Sequence, residues 1–390
     1  MKNLIEIVKS IRQGVLEGIR ISRSDISHLP LELVEEVSGA RVEIYSDKVH
    51  EIPVHRSVEL RREIYALDSS SRAIEAPYMF ISVGAGSVFN RFTGFALDVP
   101  SLSSIMGLEE PICNHIVLIP EIECSQRLLS SLRAVKSLIH TNPNNIPYTS
   151  EYNRGLILVE LRANIENCLL ENFARVSREE LVLFIDGPII YPEKVIELTS
   201  ASRGMLEIYV NSIRTLNVSR VKLIKRLISQ NVVVVNIVKR LQKSYYLSSI
   251  DPLDLKITSV SDDAYLTIAL IAGKVPLEKP VAIGPLIVRH PIEQGISRAM
   301  WYVIIPRRLH SSMSGLGSYV FYRIEVLEEL LREPVLELVA QDSVQIGSFL
   351  PLTLLVVDKR VKRISSSVTT YFLYLTGLPS EATEHYISIL

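Results

Sequence analysis

Acidic residues follow two short apolar segments of this chain. Asp68 comes directly after residues 64–67, and Asp186 comes directly after residues 181–185; each apolar segment predicts a buried strand. Glu166 lies between them, in a segment with the apolar spacing of a helix. Because strands of one sheet can end at the same edge, the three carboxylates could converge there. Carboxylates with open coordination positions suit Mg²⁺ or Mn²⁺, and such ions assist displacement at phosphorus.

Turn chemistry offers another explanation for two of these acids. Asp68 precedes Ser69, and Asp186 precedes Gly187 and Pro188. Aspartate is common at such positions because its side chain accepts hydrogen bonds from nearby backbone N–H groups. Taken singly, either aspartate fits this structural role, whereas their joint placement after two strands favours a metal site.

The elements that must position these acids follow from apolar periodicity. Apolar runs predict strands at residues 64–67, 79–83, 115–120, 181–185, 232–238, 301–306 and 319–324. Helical spacing predicts helices at residues 155–174, 192–230, 351–360 and 367–375, and polar residues predict a turn at 69–72 and a surface loop at 140–154. Strands that alternate with helices indicate an α/β fold, and the early hairpin indicates a mixed sheet.

The charge of the chain is unevenly distributed. Its 390 residues carry a formal net charge of −1, which argues against a protein coated in positive charge. Residues 208–250, however, contain eight Lys and Arg residues and no acid, so the rest of the chain sums to −9. A basic segment beside carboxylates could hold a phosphate backbone, with Tyr245 and Tyr246 as stacking surfaces for bases. A solvated helix face followed by a buried strand explains the same pattern equally well.

Cysteine usage and hydropathy indicate the cellular setting. Cys113, Cys124 and Cys168 have no CxxC spacing, which predicts buried thiols in a reducing compartment rather than a disulfide framework. No segment approaches the roughly 18 consecutive apolar residues of a membrane span. We therefore expect a cytoplasmic protein without a membrane partner. The chain also lacks the GxxxxGK[ST] motif of ATP hydrolysis, so we expect that it does not hydrolyse ATP itself.

Four segments, taken in order, resemble one nuclease family. They are YALDSSSR at residues 65–72, LVLFIDGP at 181–188, VNIVKR ending at Lys239-Arg240, and RIE at 323–325. Together they resemble NurA, a family of archaeal and bacterial nucleases that process DNA ends. The resemblance implies an α/β fold with a ribonuclease H-like mixed sheet flanked by helices. It divides the chain into an N-terminal helical extension (1–60), a nuclease domain (61–365) and a C-terminal helical segment (366–390).

The resemblance also assigns site residues. Asp68 and Asp186 match the family's metal-binding aspartates, and the catalytic glutamate on the intervening helix matches Glu166, with Glu160 as an alternative. Lys239 matches the basic residue after the later core strand, which would contact the scissile region of DNA or stabilise charge in the transition state. Arg72, Arg240 and Lys243 are, with Lys239, the expected DNA-binding residues.

The C-terminal motif departs from the family pattern. Leu350 stands where the family has tyrosine, and Asp358 stands where it has histidine. Aspartate can bind Mn²⁺ or Mg²⁺ through oxygen, so Asp358 is a further candidate ligand, whereas leucine cannot replace a phenol. Ser69 also replaces the commoner glycine of the first motif.

The resemblance implies a Mn²⁺- or Mg²⁺-dependent DNA nuclease, with 5′-to-3′ exonuclease and single-strand endonuclease activity. It would act on single strands or duplex ends in end resection for homologous recombination, as a homodimer with a HerA-type hexameric ATPase. Two alternatives remain open. One is a catalytically impaired NurA-like paralogue that serves as a structural DNA-binding partner, and the other is a nucleotidyl transferase with similar carboxylates.

Overall fold

The computed structural model describes residues 2–16, 31–35, 41–44, 49–53, 62–76, 78–120, 130–132, 134–135, 138–149, 151–177, 180–197, 203–276, 278–289, 296–307 and 319–377. Its helices are α1 (Lys2–Leu16), α2 (Leu102–Ile105), α3 (Arg154–Val176), α4 (Arg203–Ser229), α5 (Tyr246–Ile250), α6 (Asp262–Ile271), α7 (Val335–Asp342) and α8 (Leu352–Thr376). Its strands are β1 (Leu31–Val34), β2 (Arg41–Ile44), β3 (Val49–Glu51), β4 (Glu63–Ala76), β5 (Met79–Phe89), β6 (Ala96–Val99), β7 (Ile116–Pro120), β8 (Leu138–Ile139), β9 (Leu181–Asp186), β10 (Lys194–Glu197), β11 (Val233–Val238), β12 (Val281–Arg289), β13 (Ser297–Pro306) and β14 (Tyr319–Leu327).

Twelve of the described strands form one mixed sheet, and β1 pairs with β10 apart from it. At the centre of the sheet β9 lies between β4 and β11 and is parallel to both. Antiparallel neighbours continue the sheet on either side, with β5 next to β4 and β14 next to β11. Helix α4 lies between β9 and β11 in the chain, as a parallel pair requires. The predicted α/β fold with a mixed sheet flanked by helices is confirmed.

Side chains of β4 alternate between the two faces of this sheet. Leu67 packs in a core with α3 and α4, whereas Ala66 packs in a second core with α7 and α8. Successive side chains of a strand point to opposite faces, so Ser69 shares the α3 face and Asp68 shares the α8 face. The sheet therefore separates groups carried by α3 from groups carried by α8.

The polar turn predicted at residues 69–72 is wrong, because β4 runs without interruption through it. Its hydroxyl groups bond to the covering helix instead of to a turn. Ser69 Oγ donates to Glu166 Oε1 at 2.5 Å, and Ser71 Oγ donates to a backbone oxygen of α3. Serines whose hydroxyl groups donate hydrogen bonds to a helix packed on the sheet have the same polar pattern in the sequence as serines that form a turn.

Two glycines of β5 bring α3 close to the sheet. A Cβ atom added at Gly84 would lie 2.3 Å from Ile165 Cδ1. One added at Gly86 would lie 2.6 Å from both Ile165 Cγ2 and Leu169 Cδ1. Real Cβ atoms essentially never show contacts this short, so Ile165 and Leu169 can pack this close to β5 only because both positions are glycine.

Several predicted helices have different bounds in the structure. The stretch predicted as helical at 192–230 contains strand β10 before α4. The two helices predicted at 351–360 and 367–375 are one helix, α8. The serines between them are part of the helix, and Ser365 Oγ donates to the Lys362 carbonyl at 3.1 Å.

The domain boundaries stay a prediction, although two observations bear on them. The segment predicted as a helical extension, residues 1–60, contains α1 and three strands, of which β2 and β3 pair with β12 of the main sheet. The boundary between residues 365 and 366 falls inside α8. The end of the predicted segment, beyond residue 377, lies outside the described residues.

The expectation of free buried thiols is wrong for two of the three cysteines. Cys113, ahead of β7, and Cys168, on α3, form a disulfide across 55 residues of chain. Spacing along the chain does not reveal that the fold brings their Cα atoms to 6.1 Å. Cys124 lies outside the described residues.

No helix in the described part of the chain combines the length and the apolar character needed to cross a membrane. The longest, α4, has 27 residues and carries charged side chains along its whole length.

Candidate metal centre

Three carboxylates meet on the α8 face of the central strands. Each of Asp68, Asp186 and Asp358 offers one oxygen atom, and these oxygens all lie within 4.8 Å of one another. The parallel register pairs Leu67 of β4 with Ile185 of β9, so the next residues along the two strands are Asp68 and Asp186. Asp358 approaches from the second turn of α8. The expected convergence of Asp68 and Asp186 and the added candidate Asp358 thus form one cluster.

Cations only partly neutralise this cluster. Lys239 Nζ lies 2.6 Å from Asp186 Oδ2, and Lys362 Nζ lies 2.9 Å from Asp358 Oδ2. Asp68 is 5% exposed, and its carboxylate accepts a hydrogen bond from the Ser69 backbone N–H at 2.7 Å. Within the described ranges we find no ion pair to Asp68. The cluster therefore holds three acidic groups against two ammonium groups.

The pKa values of these groups reflect that imbalance. Burial and the neighbouring Asp186 carboxylate raise the pKa of Asp68 well above its usual value, although Lys239 lowers it. Burial also raises the pKa of Asp186, against a lowering by Lys239. Burial alone would lower the pKa of Lys239, but the carboxylates of Asp186 and Asp68 raise it. A bound divalent cation would supply the positive charge that these carboxylates lack.

The ligand atoms of the cluster fit a hard cation. All three are carboxylate oxygens, the donors that Mg²⁺ and Mn²⁺ prefer, and the cluster contains no sulfur or imidazole ligand within the described residues. Two of the side chains are partly accessible, so a substrate oxygen or water can reach the same ion. Asp68, Asp186 and Asp358 are accordingly the residues that would hold a metal here.

Glu166 lies on the other face of the sheet, outside this cluster. Its carboxylate is buried and ion-paired with Arg220 Nη1 at 2.7 Å. It also accepts hydrogen bonds from Tyr191 OH at 2.8 Å and from Ser69 Oγ. The apolar spacing correctly predicted that Glu166 lies on a helix, α3. The spacing does not show on which face of the sheet this helix packs, and β4 lies between α3 and Asp358. Glu166 is still near enough for its charge to raise the pKa of Asp68.

The alternative, Glu160, also lies outside the cluster. Tyr148 OH and Tyr152 OH each donate to its carboxylate at 2.6 Å. Its side chain is buried, and burial raises its pKa, against lowering by these hydrogen bonds. Glu160 thus belongs to a separate buried tyrosine pocket on α3.

Ion pairs engage four of the eight basic residues of the segment 208–250. Arg214 pairs with Glu193, Arg220 with Glu166, Lys225 with Glu329 and Lys239 with Asp186. Tyr246 is buried against Arg298, which donates to its hydroxyl at 2.6 Å, so the expected stacking surface is wrong for this residue. Of the DNA-binding candidates in this segment, Lys239 adjoins the carboxylates, and Arg240 and Lys243 are exposed beyond β11.

Arg72 lies on the same sheet face as Asp68. Its Nε donates to Ser365 Oγ of α8 at 3.3 Å, which places the guanidinium two turns along the helix from Asp358. Leu350, at the position of the expected tyrosine, is half-buried against the apolar core beneath α8. The structure offers no phenol at that position.

A buried charge network that contacts the loop after Asp186 was not predicted as functional. Glu325, from the RIE segment, is fully buried between Arg298 and Arg323, and it accepts a hydrogen bond from the Ile189 backbone N–H at 2.9 Å. Asn236 donates to the Gly187 carbonyl of the same loop at 3.0 Å. The network therefore fixes the loop that follows Asp186. An Arg-x-Glu pair inside an apolar strand is the sequence signal that could have indicated it.

No protein-family model matches the chain, and no curated protein matches it. Among solved structures, the NurA nuclease from Sulfolobus solfataricus aligns with 85% of this chain and 87% of its own, at 12% identity and a TM-score of 0.42. A second NurA structure aligns with 77% of this chain and 84% of its own, at 13% identity and a TM-score of 0.37. NurA bound to dAMP and manganese covers the same shares at 9% identity and a TM-score of 0.38. These structures belong to the family that the sequence motifs of this chain resemble.

Proposed function

We propose that this chain is a metal-dependent nuclease that hydrolyses DNA phosphodiester bonds. The observation that carries the proposal is the convergence of Asp68, Asp186 and Asp358 within 4.8 Å, in a partly accessible setting with an excess of negative charge. Clustered carboxylates of this kind serve metal-assisted phosphoryl chemistry. The ordered motifs that resemble NurA support the same reaction and contain two of the three aspartates.

Each residue of the cluster would have a distinct role. Asp68, Asp186 and Asp358 would bind a divalent cation through oxygen. A bound Mn²⁺ or Mg²⁺ supplies a Lewis acid that polarises a phosphoryl oxygen and makes a nearby water more acidic. Lys239 holds the Asp186 carboxylate, and its ammonium would stabilise negative charge that develops on the phosphate.

Glu166 would act as a positioning residue. Its carboxylate fixes Ser69 Oγ, and the Ser69 backbone N–H in turn donates to Asp68. Arg220 and Tyr191 keep Glu166 in place from the other side. This chain of contacts would orient Asp68 without any contact between Glu166 and the cation.

The resemblance supports the finer parts of the proposal. They are 5′-to-3′ exonuclease and single-strand endonuclease activity, a homodimer, a HerA-type hexameric ATPase as partner, and a role in DNA end resection. Mn²⁺ and Mg²⁺ are both suited to the oxygen ligands, so the choice between them is part of the test.

The test is a nuclease assay on end-labelled single-stranded and blunt duplex DNA, with Mn²⁺ or Mg²⁺ and with and without the ATPase. We expect cleavage by the wild type and loss of at least about a hundredfold in rate for Asp68→Ala, since the cation would lose one of three ligands. Asp263→Ala, at the start of α6 and far from the cluster in the sequence, is the control. Equal cleavage by wild type and Asp68→Ala would refute the proposal.

The structural DNA-binding paralogue remains a second candidate because Leu350 replaces the family tyrosine and Asp358 replaces the family histidine. It predicts DNA binding without hydrolysis under every metal condition and no binding of Mn²⁺ in calorimetry. Leu350→Tyr/Asp358→His distinguishes the two, since it restores both family residues and should then create activity in an inert wild type.

A further inference from the structure

The exposed face of α8 forms a stripe that starts beside the metal cluster. Lys359, Arg363, Ser366, Thr370 and Tyr374 follow one another at intervals of three or four residues, so they line one side of the helix. Four of the five are exposed and Ser366 is half-buried. We call these five residues the α8 stripe. Its length is about 22 Å at 1.5 Å per residue, the length of roughly six stacked nucleotides at 3.4 Å each.

The charge of this helix is unbalanced. From Lys359 to Thr376 the sequence has four basic residues and no acid. Arg360 pairs with Asp98, and Lys362 pairs with Asp358 of the cluster. Lys359 and Arg363 are exposed, and we find no ion pair to either within the described residues. The basic end of the stripe is therefore next to the carboxylates, where a phosphate backbone would need cations.

The other end of the stripe is aromatic. Tyr374 is 82% exposed and Tyr371, one turn earlier, is 44% exposed. An exposed tyrosine offers a face on which an unpaired base can stack, and base stacking tolerates any sequence. Ser366 and Thr370, between the charges and the rings, are small and can donate hydrogen bonds to phosphate oxygens.

The opposite side of α8 is already used by the protein. Leu354, Val357 and Val361 pack under the sheet, and Val368 and Phe372 pack in a core with α1. What α8 offers to a partner is thus cations, hydroxyl groups and rings, without an apolar face that could enter a lipid bilayer or a hydrophobic groove. A polyanion with stackable bases is complementary to that surface.

We propose that the α8 stripe binds a single-stranded nucleic acid and leads it to or from the carboxylate cluster. Lys359 and Arg363 contact backbone phosphates nearest the cluster, and Tyr374 stacks a base several nucleotides away. This role adds a substrate-binding surface to the nuclease function proposed above, and it rests on that function for the identity of the substrate.

Binding in the presence of EDTA tests the stripe without cleavage. A fluorescent oligothymidine is titrated with the full chain over a series of salt concentrations. Lys359→Ala/Arg363→Ala should reduce the slope of log K against log salt by about 1.4, because each lost phosphate contact contributes about 0.7. Tyr374→Ala should weaken binding by at least about fivefold.

The matched control is Lys274→Ala/Arg332→Ala. Both residues are exposed and lie outside α8 and outside the basic segment of residues 208–250. We expect this control to bind like the wild type. Thermal unfolding of each variant shows whether the fold is intact.

Three results would overturn the stripe proposal. In the first, the Lys359→Ala/Arg363→Ala variant binds the oligonucleotide as tightly as the control variant does. In the second, the wild type does not bind it. In the third, the variant changes its oligomeric state but not its affinity for the oligonucleotide. The nuclease assay separates this proposal from the previous one. If the Asp68→Ala variant still cleaves DNA, the proposed nuclease site is refuted but the binding result for the α8 stripe stands. If the wild type cleaves DNA in a metal-dependent way and the stripe variants bind like the wild type, only the α8 stripe proposal is refuted.

Discussion

Replacing Asp68 with asparagine should stabilise the metal-free protein at alkaline pH and abolish its stabilisation by Mn²⁺ or Mg²⁺. Asparagine keeps the shape of aspartate and removes its charge. Oxygens of the two neighbouring aspartates lie within 4.8 Å, and two like charges at that distance repel by about 3.5 kcal/mol at an effective dielectric constant of ~20. Lys239 offsets roughly one of these two repulsions. The expected gain in the free energy of unfolding is therefore about 3 kcal/mol.

The pH dependence of this gain has a definite sign. The pKa of Asp68 is raised in the native state, so the native protein binds this proton more readily than the unfolded chain does. The stability that Asp68 contributes is thus present at low pH and is lost as the pH rises through the raised pKa. Asparagine has no such loss. The advantage of Asp68→Asn should be small in acid and grow toward alkaline pH.

Metal should reverse the ranking of the two proteins. At a cation concentration of 1,000 times Kd, the wild type gains about 4.1 kcal/mol, because only the native state binds the ion. The variant lacks a ligand and should gain far less. Urea unfolding followed by circular dichroism, with EDTA or with Mn²⁺, measures both effects.

Asp98→Asn is the control for this experiment. Asp98 is half-buried on β6, accepts a hydrogen bond from Ser87 Oγ at 2.7 Å and pairs with Arg360. Its loss should destabilise the protein with or without metal and leave the response to Mn²⁺ intact. The reasoning about the cluster is refuted if Asp68→Asn lowers stability in EDTA at alkaline pH, or if it responds to metal as the wild type does.

Two further predictions concern stability away from the cluster. Burial lowers the pKa of His115 from 6.5 to about 4, so the free energy of unfolding should fall by about 3 kcal/mol as the pH falls between those values. Urea unfolding of His115→Gln should not show this loss. Equal pH profiles for the wild type and the variant would contradict the burial argument. The Cys113–Cys168 disulfide closes a 55-residue loop, which corresponds to about 4 kcal/mol in the chain-entropy description. Reductant should therefore lower Tm for the wild type and leave Tm of Cys113→Ser unchanged, whereas a wild type insensitive to reductant would show that the bond contributes nothing.

The parts of the site that depend on local pattern could be predicted from the sequence. Asp68 and Asp186 each follow an apolar run that predicts a buried strand, and this joint placement indicated that they could converge. The structure adds that the two strands are parallel neighbours. Asp358 was identified only through the family resemblance. The local sequence does not distinguish an aspartate that a helix presents to a metal site from one that it presents to solvent. The face that Glu166 occupies could not be predicted, because it depends on which side of the sheet α3 crosses.

The charge pattern did not show which basic residues are ion-paired, and the cysteine pattern did not show the disulfide, for a related reason. A run of Lys and Arg indicates an anion-binding surface only if the acids elsewhere in the chain stay away from it. In the fold, Glu193 and Glu166 come from outside the basic segment and neutralise Arg214 and Arg220. These partners are set by long-range packing, as is the pairing of Cys113 with Cys168, and sequence separation carries no information about either.

The two glycines of β5 have a consequence for how this protein can vary. Gly84 and Gly86 carry no side-chain group of their own, yet a methyl group at either would come within 3 Å of Ile165, the residue next to Glu166, so that Ile165 would have to shift. That displacement would reach Ser69 and, through it, the orientation of Asp68. Gly84 and Gly86 take no part in the chemistry of the site, yet they should tolerate fewer substitutions than many exposed residues around the site do.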